Sequence, residues 1–314
     1  MAAVRTTRLG RTDLVVSEMG FGAFGIGGNI SGNSYGPTDD ETSISAIHAA
    51  LDLGCTFFDT ADVYGYGHSE RLLGRALRRA SRLDDVVIAT KVGGNFSTGR
   101  TVVDFSREHI STSIDASLRR LGRDRVDLYQ LHNPSLEVIE RGEVFDVLDD
   151  LVAGGKVRHY GVSVHTRAEG QACLSYPSVA ALQVPYNLFT LLHPENSFLP
   201  LFGTAVRCGV GLIAREPLAG GFLSGRHTRT TTYGPGDIRG QWPPARQHIQ
   251  VALTDSLRYL ESGGATLAQV ALRFVLDEPT ISTTVVGIKT ADQARENLVA
   301  VELPGFATFE SDAR

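Results

Sequence analysis

The sequence predicts a closed parallel (β/α)₈ barrel preceded by an N-terminal β-hairpin. Three observations point there. Short apolar strand patterns alternate with helical patterns over most of the 314 residues. Counted from Met19-Gly20-Phe21-Gly22, eight strands each precede a helix. Titratable and polar side chains recur where those strands end, the rim at which such a barrel gathers its chemistry. A long doubly wound sheet is the alternative for the same alternation. With no repeat beyond the βα unit and no low-complexity linker, residues 1–314 read as one domain.

Taken in order, residues 5–9 and 14–17 flank the turn Gly10-Arg11-Thr12-Asp13 and predict the hairpin. A helix is expected over 39–53. Thr38 and Glu41 form a capping-box signature, Ile44, Ile47 and Leu51 share a face, and Gly54 ends it. Thr56-Phe57-Phe58 is the next strand, and Ser69 is expected to cap a helix with Leu72, Leu73, Ala76 and Leu77 inward. Strand 86–89 precedes a helix marked by Ile110, Ile114, Leu118 and Leu121 and stopped at Gly122. Strand 126–131 precedes a helix with Val144, Leu148 and Leu151, ended by Gly154. Strand 159–162, a weak helix 167–174, strand 180–183, helix 200–208 and strand 210–214 follow. Helical patterns at 245–260 and 266–276, strand 284–286, and a helix opened by Thr290 and Gln293 as a capping box complete the barrel.

Composition narrows the function. The chain is 42% hydrophobic and 21% charged, with a net charge of -5 and no basic run, which disfavours a nucleic-acid groove. No apolar stretch matches a membrane span, and the start, MAAVRTTRLG, lacks a signal-peptide core. Cys55, Cys173 and Cys208 lie far apart, outside metal-ligand spacing, so a reduced, cytoplasmic setting without a metal is expected. Of the 30 basic residues only Lys91, Lys156 and Lys289 are lysines. Arginine does not titrate in proteins, whereas lysine is a compact charge whose pKa moves readily. A surviving lysine therefore marks a position where a guanidinium will not serve, unless the bias is only a codon effect.

Gly20-Phe21-Gly22-Ala23-Phe24-Gly25 matches a dinucleotide fingerprint, but that fingerprint needs a helix opening on its glycines. Here Ile26-Gly27-Gly28-Asn29-Ile30-Ser31-Gly32-Asn33 follows, which predicts a glycine-rich loop. The strand ends supply a different set. Asp59 ends the second strand, with Asp62, Tyr64, Tyr66 and His68 in its loop. Lys91, His132, Ser163, Gln183, the pair Arg215-Glu216, and Lys289 follow at the other strand ends. Singly, each has an ordinary reading as cap, packing or core residue. Together, a phenol, an ammonium, a carboxylate and an imidazole at one rim suit protonation of a carbonyl oxygen as hydride reaches the carbon. The ammonium draws the phenol's pKa down, the carboxylate keeps the ammonium charged, and the imidazole orients the oxygen.

Those residues also carry a resemblance. The run Phe58-Asp59-Thr60-Ala61-Asp62-Val63-Tyr64-Gly65, continuing to Ser69-Glu70, resembles the DTAxxYG…SE signature of the aldo-keto reductase superfamily. Ala89-Thr90-Lys91, Asp127-Leu128-Tyr129-Gln130-Leu131-His132 and residues 155–163 (GKVRHYGVS) resemble its lysine, histidine and GVS segments. QVPYN (183–187), PLAGGFLSG (217–225) and VGIKTADQARENL (286–298) complete a match over nearly the whole chain. The resemblance implies a (β/α)₈ barrel with an N-terminal β-hairpin closing its bottom and NADPH-dependent reduction of aldehydes or ketones; with the composition against nucleic-acid or membrane partners, a monomer or homo-oligomer acting on a small carbonyl substrate is expected. It makes Tyr64 the proton donor, with Lys91 lowering its pKa, Asp59 pairing with Lys91, and His132 orienting the substrate. Ser163 and Gln183 would hold the nicotinamide carboxamide, and Pro217, Leu218, Gly220 and Gly221 would lie over the pyrophosphate. Lys289 and Thr290 would approach the 2′-phosphate, with Gln293 and Asn297 at the adenine.

Two positions depart from the family pattern. Val164-His165 stands where an Asn often follows the Ser, and Arg215 stands where many members stack an aromatic ring on the nicotinamide. Arg215 either stacks through its guanidinium plane or pairs with Glu216. Candidate substrate walls are Phe24, Ile26, Tyr66, Phe96 and Trp242, and residues 226–242 read as a lid. Aromatic aldehydes, keto-sugars and small ketones fit equally. The rival classes are a barrel hydrolase or lyase using Asp59 and Asp62 as paired carboxylates, and a cofactor-sensing accessory subunit on the same scaffold.

Overall fold

The hairpin comes first: β1 (Thr6–Arg8) pairs antiparallel with β2 (Val15–Ser17). Its turn demands glycine at position 10, where φ is +53° and a Cβ would run into the backbone of Gly209 and Gly211. The computed structural model describes residues 4–32 and 34–312. Met1, Ala2 and Ala3 of the segment read against a signal peptide, and Asn33 of the glycine-rich loop, lie outside the described residues.

The eight barrel strands follow in chain order. They are β3 (Met19–Gly22), β4 (Phe57–Asp59), β5 (Val87–Val92), β8 (Val126–His132), β9 (Val157–Ser163), β10 (Val179–Pro185), β11 (Gly211–Arg215) and β12 (Ile281–Gly287). Between β5 and β8 a small antiparallel pair, β6 (Gly94–Asn95) and β7 (Val102–Val103), forms an excursion that the sequence patterns did not announce. All neighbouring barrel strands are parallel, and β12 pairs with β3 to close the ring. The glycine-rich run after β3 makes a single 3₁₀ turn, Gly25–Gly27, and no helix, as its composition predicts.

Inside the barrel, Phe57, Ala89, Leu128, Ala181, Ile213 and Val285 form one apolar cluster with Leu9, Leu14 and Val16 of the hairpin. The hairpin therefore plugs the amino-terminal end. Residues two apart on a strand share a face. The next interior positions are Asp59, Lys91, Gln130, Gln183 and Arg215. Hydrophobic closure below thus dictates a polar layer above, at the carboxyl end of the strands.

The helices are α1 (Asp40–Asp52), α2 (His68–Arg79), α3 (Arg107–Leu121), α4 (Leu136–Arg141), α5 (Glu143–Ala153), α6 (Arg167–Cys173), α7 (Leu199–Arg207), α8 (Pro244–Ser256), α9 (Leu267–Leu276), α10 (Ala291–Leu298) and α11 (Phe306–Asp312). Three caps differ from expectation. Asp39, not Thr38, caps α1 by accepting from Thr42 N. Gly67 stands at the cap of α2, because Ser69 is buried and donates to Ala23 O at 2.9 Å. Thr290 does cap α10, but Gln293 Oε1 accepts from Lys289 N at 2.8 Å, so the box is not reciprocal. The pattern over 245–260 breaks after Ser256 into the 3₁₀ turn Arg258–Leu260. Lys156 pairs with Asp115 of α3 at 2.5 Å. Among the described residues no helix is long and apolar enough to cross a membrane.

A charged clamp holds the hairpin on. Asp13 accepts from Arg158 Nη2 at 2.8 Å and meets His159 Nε2 at 2.7 Å. The His159 contact, then Arg158, lowers the Asp13 pKa to about 2. A carboxyl depressed on folding stabilises above its ordinary pKa and loses that contribution as pH falls through the folded value. Asp13→Asn should therefore melt below the parent at neutral pH, with the gap closing between roughly pH 4 and 2. Thermal melts across that window check this; a gap independent of pH would refute it.

Candidate active site at the carboxyl end of the barrel

Asp59 and Lys91 face each other from adjacent strands β4 and β5, both buried. Lys91 Nζ donates to Asp59 Oδ1, to Thr60 O at 2.8 Å and to the Tyr64 hydroxyl at 3.4 Å. The other Asp59 oxygen accepts from Gln130 Nε2 at 3.1 Å and Gln183 Nε2 at 2.8 Å. The carboxylate is thus saturated with donors and the ammonium is fixed on three acceptors. A buried ion pair needs such extra hydrogen bonds to offset desolvation.

Tyr64 reaches this pair from the loop after β4. Its successor explains the local sequence. Gly65 has φ +60°, and a Cβ there would strike Gly27 O, so only glycine lets the two loops touch behind the phenol. The His132 ring meets the Tyr64 ring edge-on at 5.7 Å, and Phe24 does so at 5.0 Å.

The electrostatics follow from burial. Burial raises the Tyr64 pKa; Lys91 and Arg215 pull it down and Asp59 pushes it up, and the net direction is upward. Lys91 lowers the phenol's pKa, as expected of it, but desolvation outweighs the ammonium. Burial opposes the Lys91 charge, but Asp59 and Tyr64 outweigh it and raise its pKa. Burial, then Lys91, Arg215 and His165, holds His132 well below its usual value, so its ring is neutral.

Arg215 pairs with Glu216 and donates to Val164 O at 3.2 Å, beside His165 Nδ1 at 3.1 Å. Ser163 donates to Asn133 Oδ1 at 3.2 Å. Gln183, expected free for a ligand, spends its amide nitrogen on Asp59. Asp62 is buried with both carboxyl oxygens unpartnered, and burial, with Glu70 next, pushes its pKa well up. Both Asp59 oxygens are already taken by Lys91, Gln130 and Gln183, which argues against Asp59 as a free carboxylate of a paired set.

Farther round the rim, the stretch after β11 turns on Gly220 and Gly221 at φ +67° and +93°. Pro217 and Leu218 precede that turn, and Trp242 covers Gly220 while stacking on Phe222 at 5.8 Å. Lys289 Nζ donates to Tyr35 O at 3.0 Å and Pro37 O at 2.6 Å. Asn297 is buried on α10, one turn beyond Gln293. Tyr66 and Phe96 stack at 4.8 Å, joining two rim loops. Ile26 is fully buried and cannot line a substrate wall. Tyr66, Asn133, Glu216 and Ala219 all have positive φ without being glycine, and all lie in rim loops. Such strain concentrates at functional sites.

The model of the Aldo/keto reductase family matches residues 18–308. The chain belongs to the aldo/keto reductase family. It is 31% identical to aldo-keto reductase YhdN of Bacillus subtilis, covering 91% of this chain and 86% of that one. It is 29% identical to aldo-keto reductase yakc [NADP(+)] of Schizosaccharomyces pombe, covering 96% and 88%. Aldo-keto reductase AKR11C1 from Bacillus halodurans, solved in its holo form, superposes with a TM-score of 0.79 at 27% identity, covering 99% and 95%. This aldo/keto reductase is therefore an oxidoreductase of carbonyl compounds, in a family that generally uses NAD(P)H. Sequence reasoning missed Gln130, although it lies on the interior face two residues after Leu128 and two before His132. It also missed Tyr35, which no local pattern marks.

Proposed function

We propose that this aldo/keto reductase is an NADPH-dependent carbonyl reductase in which Tyr64 is the general acid. The observation that carries the reading is the line from the buried Asp59–Lys91 pair to the half-buried Tyr64, with the neutral His132 ring against the phenol. The residues at the rim suit the cofactor. The positive-φ turn at Gly220 and Gly221 suits a pyrophosphate, with Pro217 and Leu218 beside it and Trp242 over Gly220. Lys289 and the capped start of α10 at Thr290 suit the 2′-phosphate, with Gln293 and Asn297 toward the adenine. Ser163, Gln183 and the Arg215 guanidinium face the nicotinamide end in this reading. When bound, the cofactor supplies the hydride.

The chain's own residues do the rest. Tyr64 gives its phenolic proton to the carbonyl oxygen, and burial keeps that proton in place at neutral pH. Lys91 stabilises the phenolate left behind, and Asp59, held by Gln130 and Gln183, keeps the ammonium in place. His132 orients the oxygen without bringing a competing charge. The whole of residues 1–314 acts as one domain on a small carbonyl substrate, supported by the unbroken barrel. A reducing, cytoplasmic setting is supported by free thiols at Cys55 and Cys173, which burial pushes up to about 11 and about 12.

The test is twofold. Added NADPH should quench protein fluorescence, and a panel of reactive aldehydes should then drive its oxidation. Quenching without oxidation by any aldehyde would favour the accessory-subunit reading, and absence of both would sink the proposal. The cofactor assignment has its own check. Lys289→Ala should weaken NADPH binding roughly tenfold or more while leaving NADH nearly unchanged, since only the former presents a phosphate to the ammonium. Equal weakening of the two in fluorescence titrations would remove Lys289 from the phosphate site.

A further inference from the structure

Gln130 has one end in use and the other orphaned. It lies on β8 as the register partner of Lys91 on β5, and it is fully buried. Its Nε2 donates to Asp59 Oδ2 at 3.1 Å, while its Oε1 is buried without a hydrogen-bond partner among the described residues. An ionised carboxylate only accepts, so Asp59 fixes which end of the amide faces it. A buried amide oxygen without a partner costs stability, so the task of this side chain is to be sought at its nitrogen.

The fold makes room for that contact. Gly161 is the register partner of Gln130 on β9, and a Cβ there would meet Ala181 O at 2.5 Å. β9 thus presents no side chain beside Gln130 at this level. Gln130 from β8 and Gln183 from β10 converge on one oxygen of Asp59, and Lys91 holds the other.

The consequence is electrostatic. The charge of Asp59 reaches Tyr64, where it opposes formation of the phenolate. Each amide N–H brings the positive end of a dipole to Oδ2 and makes the carboxylate less basic. A less basic Asp59 pulls less on Lys91, whose longest contact, 3.4 Å to the Tyr64 hydroxyl, gains. The other groups facing the phenol are the Arg215 cation from β11 and the neutral His132 ring from β8. The Tyr35 phenol, neutral through burial, stands beyond Phe24.

We propose that Gln130 is a positioning residue for the proton-transfer step: by drawing charge from Asp59 it leaves the Lys91 ammonium to stabilise the phenolate of Tyr64. This rests on the assignment of Tyr64 as proton donor. Gln130 takes no proton itself and acts through Asp59 and Lys91. Gln183 makes the same contact but is also assigned to the nicotinamide, so Gln130 isolates the effect.

The experiment measures pH profiles of kcat for propionaldehyde reduction with NADPH and for propan-1-ol oxidation with NADP+. It compares the parent with Gln130→Met and Gln130→Leu, which remove both amide ends and keep an apolar side chain. Without the donor, Asp59 holds Lys91 harder and the phenol becomes a weaker acid. The alkaline limb of reduction and the rise of oxidation should both move to higher pH, by roughly half to one unit. At a pH below that rise, oxidation should fall about three- to tenfold, and reduction by less. NADPH titration by fluorescence establishes that each variant is folded and loaded, and Gln130→Leu carries the test if Gln130→Met does not fold. Limbs that stay in place, whether or not the rates fall, make Gln130 a packing residue and overturn the proposal. Movement to lower pH overturns it too. Parental limbs that persist in the residual activity of Tyr64→Phe would instead strike the assignment of Tyr64.

Discussion

Tyr64→Phe should lower carbonyl reduction by roughly 10²- to 10⁴-fold while leaving NADPH affinity nearly unchanged. The substitution removes one oxygen and keeps the ring, so the edge contacts with Phe24 and His132 survive. Lys91 loses only its longest contact, 3.4 Å to the hydroxyl, and keeps Asp59 and Thr60 O. The pair beneath therefore stays assembled, and the loss reports proton donation alone. Among the described residues at the site, no other group replaces the phenol. His132 is neutral and flanked by cations, and Lys91 is committed to acceptors. Steady-state oxidation of NADPH with a reactive aldehyde, alongside fluorescence titration of the cofactor, makes the measurement. Undiminished turnover would remove Tyr64 from the reaction.

Most of this site was legible because a barrel strand has a period of two and an apolar floor. Phe57, Ala89 and Leu128 announce buried strands, and the same face two residues later carries Asp59, Lys91 and Gln130. What stayed hidden depends on contacts between distant segments. Gln183 reads as a ligand-binding amide until β10 is seen to bring it onto Asp59. Tyr35 has no signal of its own, since its place is set by Arg239 and Lys289, residues some two hundred positions or more along the chain. Ser69 has the look of a cap, but burial against Ala23 O and Thr60 gives its hydroxyl other work. The net direction of the Tyr64 pKa was hidden too. Neighbouring charges can be guessed from a motif, but the depth of burial that opposes them comes only with the closed barrel.

Lys91→Arg should be nearly as damaging to turnover as Lys91→Ala, although it keeps the charge. Lys91 is fully buried between Asp59, Thr60 O and Tyr64, where a single tetrahedral ammonium meets three acceptors. A planar guanidinium is larger, presents its donors in a fork, and cannot point one toward each of these positions in the same space. Alanine instead leaves Asp59 buried and uncompensated, at a cost of about 3–5 kcal/mol of stability. The two variants therefore separate fold from chemistry: both lose activity, but thermal melts should penalise the loss of charge differently from the misfit. The pH dependence of residual activity gives a second reading. An ammonium beside a phenol lowers its pKa, so without Lys91 the Tyr64 pKa must climb further. Reduction needs the protonated phenol, and its alkaline limb should move to higher pH. Alcohol oxidation needs the phenolate, and its rise should move to higher pH as well. A purely structural role for Lys91 would lower both rates without displacing either limb. Displacement of both in Lys91→Ala, with little turnover in Lys91→Arg, would show why lysine persists at this position in a chain whose basic residues are mostly arginine.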